Sequence, residues 1–304
     1  MATAISSSTA NKARSGIEPL PTRLLGSTGE LVPVLGLGTA PGGMGLSDKD
    51  AIQLYHSAID AGVTYLDTAP GYGRAHKQLG VVMAERRDEV FLVTKVPADD
   101  GEKALEMLHE GLSDLGVDQV DLTYVHSMGN RDIDQVLAED GAMAALHSAK
   151  ASGLTRFVGF TAHNAPWKSE RMLRETDVDV VMLAMNLADR FTYAFEDRVL
   201  PLALEKNVGV VAMKVFGGAL DMKYEKPERS ALEVHGYEDH RTALNYALGL
   251  PGVASAVVGM FNESELRQNL DWAKHHVPVQ DTPELQKLGR EVASKLGDHF
   301  GPVE

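Results

Sequence analysis

Apolar residues along this chain gather into short, nearly unbroken runs. From the amino end these are VPVLGLG at 32–38, VTYLDTA at 63–69, EVFLVTKV at 89–96 and VDLTYVH at 120–126. They continue as TRFVGFT at 155–161, VDVVMLAM at 178–185, VGVVAMKV at 208–215 and ASAVVGM at 254–260. A strand with one wet face alternates apolar and polar residues, so runs of this kind predict parallel strands buried on both faces. Between them the period becomes helical: Leu105, Leu108, Leu112 and Leu115 form one stripe of the kind a 3.6-residue repeat produces. Ser47 with Asp50, and Asn262 with Glu265, have the spacing of helix-opening capping boxes, and Gly62 is placed to end the first helix. Eight strands alternating with helices, without a linker or a break in composition, predict one (β/α)8 barrel over residues 21–304. A doubly wound sheet is the runner-up, but GLGTAPGG after the first run lacks GxGxxG spacing. Residues 22–32, TRLLGSTGELV, predict a hairpin ahead of the barrel. Beyond Pro278, Leu285, Leu288 and Val292 predict one more helix, whose packing partner the pattern does not name.

Polar residues interrupt these runs mainly at their ends. In a barrel of this type the carboxyl ends of the strands form the face that carries chemistry. The second run ends in Asp67 with Tyr72 in the following loop, the third ends in Thr94-Lys95, and the fourth in His126. Any one of these has a bland reading, a solvated lysine or a hydrogen-bonded core histidine; all of them on adjacent strands form a chemical unit. A phenol of pKa about 10 is a slow acid–base group at neutral pH. A neighbouring ammonium is expected to lower that value, and an aspartate to keep the ammonium charged. A histidine beside them can orient a carbonyl oxygen. This set can protonate a carbonyl as a hydride arrives, or run the reverse. It holds no nucleophile for acyl transfer and no ligand cluster for a metal.

Composition narrows the classes. The chain has no cysteine, which excludes disulfides and thiolate chemistry and fits a reducing, cytoplasmic setting. A formal net charge of −14 argues against nucleic acid or an anionic membrane as partner. Residues 1–20 are expected as a disordered tail, with an organelle transit peptide as the alternative for the Ala- and Ser-rich opening MATAISSSTANKARSGI.

LDTAPGYG, the strand-end TK and the strand-end VH, in this order and spacing, resemble the aldo-keto reductases over residues 20–275. The resemblance implies Tyr72 as proton donor, Lys95 as the group that tunes it, Asp67 as partner of Lys95 and His126 as substrate orienter. It implies a hairpin closing the barrel bottom and a nicotinamide cofactor extended across the mouth. NADP(H) is favoured by family habit and NAD(H) is nearly as well supported. Along that cofactor it implies contacts from Thr39 and Asp67, from Thr161 and Met182 at the nicotinamide amide, and from Met213 against its ring. Lys214, Phe216 and Gly217 would reach the pyrophosphate, and Gly259, Met260, Glu265 and Asn269 the adenosine end. Several positions depart from the family: Ala162 replaces a common asparagine, Met182 a glutamine with Asn186 close by, and Glu265 lies where a 2′-phosphate needs a cation, with Arg267 nearby.

Ala40, Met44 and Met128 are the expected substrate-pocket residues, with Phe216 as a further wall and residues 216–237 as a charged loop over the site. Asp189 and Arg190 are placed to meet a hydroxyl or carboxylate, or else to form surface ion pairs, and His275-His276 are expected on the surface. The function expected is reduction of an aldehyde, ketone or sugar-type carbonyl to an alcohol, or its reverse. The competing class is a cofactor-binding regulatory subunit with little turnover. Oligomeric state stays open.

Overall fold

The computed structural model describes residues 19–220 and 223–304. Eight parallel strands close into a barrel: β3 (Leu35–Gly38), β4 (Tyr65–Asp67), β5 (Phe91–Val96), β6 (Val120–Val125), β7 (Thr155–Ala162), β8 (Val180–Ala184), β9 (Gly209–Met213) and β10 (Val253–Gly259). Each predicted run supplies one of them. The first run splits, because Pro33 ends β2 (Leu31–Pro33), which pairs antiparallel with β1 (Thr22–Leu24). Proline has no N–H to donate, so it suits a strand end. Val34 N–H then bonds to the Pro21 carbonyl at 2.9 Å, and the barrel strand begins one residue later. The hairpin carries Leu25 and Val32 into the barrel interior, and its turn meets the amino end of β9 where Ser27 N–H donates to Asn207 O at 2.9 Å. It therefore plugs the bottom. Most of the expected tail, residues 1–18, lies outside the described residues; Leu20, assigned to that tail, is instead buried in the core.

Inward residues fill the barrel as a packed core. Tyr65 stacks on Phe91 at 5.3 Å, Phe91 on Phe157 at 6.2 Å, and the Tyr65 and Tyr124 hydroxyls lie 3.2 Å apart. This layer is the floor beneath the strand-end polar groups. The surrounding helices begin and end largely as the caps predict. Ser47 Oγ accepts from Asp50 N–H and Asn262 Oδ1 from Glu265 N–H, opening helices Asp48–Asp60 and Glu263–Lys274. The leucine stripe belongs to helix Gly101–Leu115, with Leu108, Leu112 and Leu115 buried. Among the described residues, no helix is long and apolar enough to cross a membrane.

The predicted final helix is Pro283–Leu296. It packs against the segment after β8 and helix His240–Gly249, sharing a cluster with Leu187, Tyr237 and Tyr246. The chain then returns to the mouth: His299 Nε2 meets Asp189 Oδ1 at 2.8 Å, and Ala165 N–H donates to Pro302 O at 3.1 Å. Asp189 is thereby buried as an anchor, and Arg190 pairs with Asp281 at 2.7 Å, so neither faces a substrate. His276 departs from its expected surface place. It sits half-buried at the bottom with Nε2 2.7 Å from an Arg23 nitrogen.

Glu196 in the same region has a measurable consequence. It is 9% exposed, and neither carboxylate oxygen hydrogen-bonds another residue. Burial pushes its pKa up to about 8, with Asp189 and Asp197 adding to the effect and Arg190 opposing it. A folded-state pKa above the unfolded value means that the folded protein holds the proton more tightly. The linked stability is full below the unfolded pKa and is lost as pH rises to about 8. Glu196→Gln is expected to stabilise the protein, with an advantage that grows by about 3 kcal/mol between about pH 5.5 and about pH 8.5. Urea unfolding of both proteins at the two pH values checks this, and an advantage independent of pH would refute it.

Candidate active site

Asp67 is the last residue of β4, and Lys95 is the inward residue near the end of β5. Both side chains are almost fully buried, 3% and 1% exposed, so the ammonium must find its partners inside the protein. Lys95 Nζ donates to Asp67 Oδ2 at 2.6 Å, to the Thr68 carbonyl at 2.9 Å and to the Tyr72 hydroxyl at 3.4 Å. It also lies 4.9 Å from the centre of the Tyr72 ring. His126, one residue past β6, presents its ring edge-on to Tyr72 with centroids 6.1 Å apart. The three strand-end residues and the loop tyrosine thus converge at one place.

Two glycines allow the tyrosine loop to lie where it does. Gly73 has φ +56°, which side-chain-bearing residues rarely adopt, and a Cβ on Gly43 would come within 1.9 Å of the Tyr72 carbonyl oxygen. Gly43 belongs to helix Ala40–Gly45, so that helix and the Tyr72 loop lock together, with Arg74 N–H on Gly43 O at 3.0 Å.

Electrostatics correct one expectation. Tyr72 is not depressed by Lys95. Desolvation, then the Asp67 charge and Tyr224, hold the phenol well above its ordinary value, so it keeps its proton across the neutral range. The Lys95 ammonium faces Asp67 first. Burial pushes that ammonium down and the carboxyl up, each offset by the attraction of the other. His126 is held well below the ordinary imidazole range by burial and by Lys95, Lys214 and Arg131. A neutral imidazole can still donate a hydrogen bond.

A cavity of about 360 Å³ opens beside Asp67 and Tyr72 and runs between β9, β10 and the segment after β9. Of the expected contact residues it is lined by Ala40, Met182, Met213, Lys214, Phe216, Gly259, Glu265 and Asn269. Others lie elsewhere. Met128 is fully buried in the core between strands and helices, because the chain turns inward through Ser127 at φ +58°, and it offers no surface to a substrate. Met260 is core as well. Thr39 is buried with its hydroxyl on the Asp67 carbonyl at 3.0 Å, and the Thr161 hydroxyl accepts from Ser127 N–H at 2.9 Å. Both brace the mouth from below. Asn186 is held by Asp189 and by the Lys214 carbonyl, so it does not stand in for the missing glutamine. Met44 is 37% exposed on its helix, outside the cavity lining.

The described residues of the 216–237 segment, 216–220 and 223–237, do cover the site. Ala219 bridges to Ser230, Ala219, Tyr224, Pro227 and Ser230 line the cavity, and the Tyr224 hydroxyl bonds to Lys214 Nζ. Gly217 lies in the turn after Lys214, its N–H on the Lys214 carbonyl at 2.7 Å. At the far end Glu265 is committed at both oxygens, to Phe261 N–H and the Asn262 amide, each at 2.8 Å. Asn269 donates to the Glu265 carbonyl at 2.9 Å and leaves its buried Oδ1 without a partner.

The family model for the Aldo/keto reductase family matches residues 34–290. The chain belongs to that family. Among aldo-keto reductases and related curated proteins it is 28% identical to the D-threo-aldose 1-dehydrogenase of a Pseudomonas species, over 83% of this chain and 93% of that one. It is 26% identical to the L-galactose dehydrogenase of Arabidopsis thaliana, over 93% and 95%. A solved putative aldo-keto reductase from Pseudomonas aeruginosa superposes with a TM-score of 0.68 at 27% identity, covering 86% of this chain and 98% of that one. The holo form of a Bacillus halodurans aldo-keto reductase shares the fold, with a TM-score of 0.72 over 90% and 96% of the chains at 22% identity.

Among the lining residues that sequence reasoning did not name are His163, Tyr224 and Trp272. Of these, only His163 carried a signal: it stands two residues past Thr161 and keeps the inward parity of β7.

Proposed function

We propose that this aldo-keto reductase interconverts a carbonyl compound and its alcohol with a nicotinamide cofactor, Tyr72 giving or taking the proton. The observation that carries the reading is the buried chain from Asp67 through Lys95 to the Tyr72 hydroxyl, at 2.6 and 3.4 Å, at the edge of the cavity. Names of relatives agree in kind, since they are dehydrogenases and reductases of aldoses and related compounds.

The residues fit such a cofactor. Met182 and Met213 make an apolar wall for a flat ring, and Lys214 supplies charge for a pyrophosphate, with Gly218 beside it on the cavity lining, whereas the Gly217 N–H is taken by the Lys214 carbonyl. The unpartnered Asn269 Oδ1 suits an amino group of adenine. When bound, the cofactor supplies the hydride. The chain's own part is the proton and its surroundings: Tyr72 holds the proton at Oη, Lys95 fixes that hydroxyl, and Asp67 keeps Lys95 ionised. Neutral His126 donates to the carbonyl oxygen and sets its direction.

Family habit favours NADPH, whereas the charges at the adenosine end favour NADH. There Glu265 lines the cavity, while Arg267 is largely exposed and turned to Glu263 at 3.9 Å. We commit to NADH. Because Trp272 lines the cavity, its fluorescence should report titration with either cofactor. NADH is expected to bind more tightly, and Glu265→Gln, which keeps the bond to Phe261 N–H, to tighten NADPH by about five- to tenfold while leaving NADH nearly unchanged. Tight binding of NADPH alone by the unaltered protein would reverse the assignment. Binding without turnover of any carbonyl would favour the regulatory-subunit class.

A further inference from the structure

His163 continues the inward series of β7, two residues beyond Thr161, with the parity that puts Phe157 in the barrel interior. Its ring lines the same cavity as Tyr72, Met182 and Met213. One ring nitrogen is tethered, Nδ1 lying 3.5 Å from Ser127 Oγ, at the long edge of hydrogen bonding. The ring rests on Phe300, centroids 5.6 Å apart. That backing is itself fixed, since Phe300 N–H donates to the Tyr193 hydroxyl at 2.8 Å. Nε2 has no hydrogen-bond partner among the described residues.

We propose that His163 is a specificity residue, whose Nε2 hydrogen-bonds a hydroxyl carried by the substrate away from its carbonyl, so that the site selects hydroxylated aldehydes or ketones. This rests on the function proposed above. Burial, together with Lys214, His126 and Lys95, holds the imidazole well below its ordinary range, so it meets the substrate uncharged. An uncharged imidazole suits a hydroxyl, which can both donate and accept, and gives a carboxylate no counter-charge. With Met182 and Met213 facing the cofactor ring, Phe216 is the apolar neighbour left to the substrate, and it accepts a bare hydrocarbon chain as readily. His163 sets a polar group beside Tyr72 for such a hydroxyl, and a site built this way disfavours the analogue that lacks it.

Glyceraldehyde and propanal, matched in length, make the test. The unaltered protein should prefer glyceraldehyde in kcat/KM. His163→Ala should lower kcat/KM for glyceraldehyde by about three- to tenfold, mainly through KM, and leave propanal unchanged. Cofactor affinity followed by Trp272 fluorescence should not move, and His163→Gln, which keeps a donor and an acceptor, should retain part of the preference. Equal losses on both aldehydes would mark the ring as structural support and overturn the proposal, as would an initial preference for propanal. An unaltered protein that turns over neither aldehyde also overturns the proposal, whereas the oxidoreductase reading itself falls only if no carbonyl is turned over with either cofactor; both show before any variant is made.

Discussion

Tyr72→Phe is expected to fold, to bind its cofactor with unchanged affinity and to lose turnover by about two to four orders of magnitude. The substitution removes one oxygen from a side chain whose ring contacts, including the edge-on His126 and the overlying Lys95, remain possible. What disappears is the only proton in the cluster held on a neutral oxygen beside the cavity. Because desolvation and the Asp67 charge keep that phenol well above its ordinary value, the reductive rate of the unaltered protein should not fall through loss of this proton anywhere near neutrality. Single-turnover rates with each cofactor, measured across the neutral range, check both statements. Retained turnover in Tyr72→Phe would remove the proposed chemistry altogether.

Lys95→Met should fail in two ways at once. Lys95 is the hydrogen-bond donor seen on the Asp67 carboxylate, and the other oxygen, Oδ1, has no partner. Removing the ammonium strands a buried charge, and breaking such a pair from one side costs about 3–5 kcal/mol. Turnover should fall as well, because the Tyr72 hydroxyl loses the group that positions it. The two effects separate in the double variant Lys95→Met with Asp67→Asn. Neutralising the stranded carboxylate should restore much of the stability and none of the turnover. Denaturant unfolding beside steady-state rates reads both; a single variant as stable as the parent would show that the pair does not carry the weight given to it.

The barrel was legible because its strands are buried on both faces, and that leaves near-continuous runs in the sequence, as VDVVMLAM does for β8. Caps at Ser47 and Asn262 were legible for a local reason, a side chain bonding an amide three residues on. The convergence of Asp67, Lys95 and His126 followed once strand order was known, since each stands at a strand's carboxyl end. Legibility stopped where placement depends on distant chain. Met128 looks like a pocket wall until the left-handed turn at Ser127 sends it into the core. Thr39 and Thr161 look like ligand groups until their hydroxyls meet Asp67 O and Ser127 N–H. The sequence places Lys95 near Tyr72 but carries no measure of desolvation, which holds the phenol above its ordinary value despite that ammonium. Tyr224 lies in the loop expected over the site, though nothing local singles it out, and Trp272 reaches the cavity from a helix whose pattern records no such destination.

Strand order also divides the labour of the proposed reaction along the chain. Asp67, Tyr72, Lys95 and His126 come from β4 to β6, whereas Met182, Met213, Lys214, Glu265 and Asn269 come from β8 onward. In the proposed reaction the proton would come from one half of the polypeptide and the hydride source would be held by the other. The halves meet at two junctions, β6 against β7 and the closing seam where Leu35 pairs with Ala256. That seam is tightly packed: a Cβ added at Gly36 would press on Val257 and Tyr65 at 3.0 Å. A small wedge there would leave each half intact and turn one against the other. The protein would then still grip its cofactor, yet bring the two parts of a single reduction to the carbonyl out of alignment.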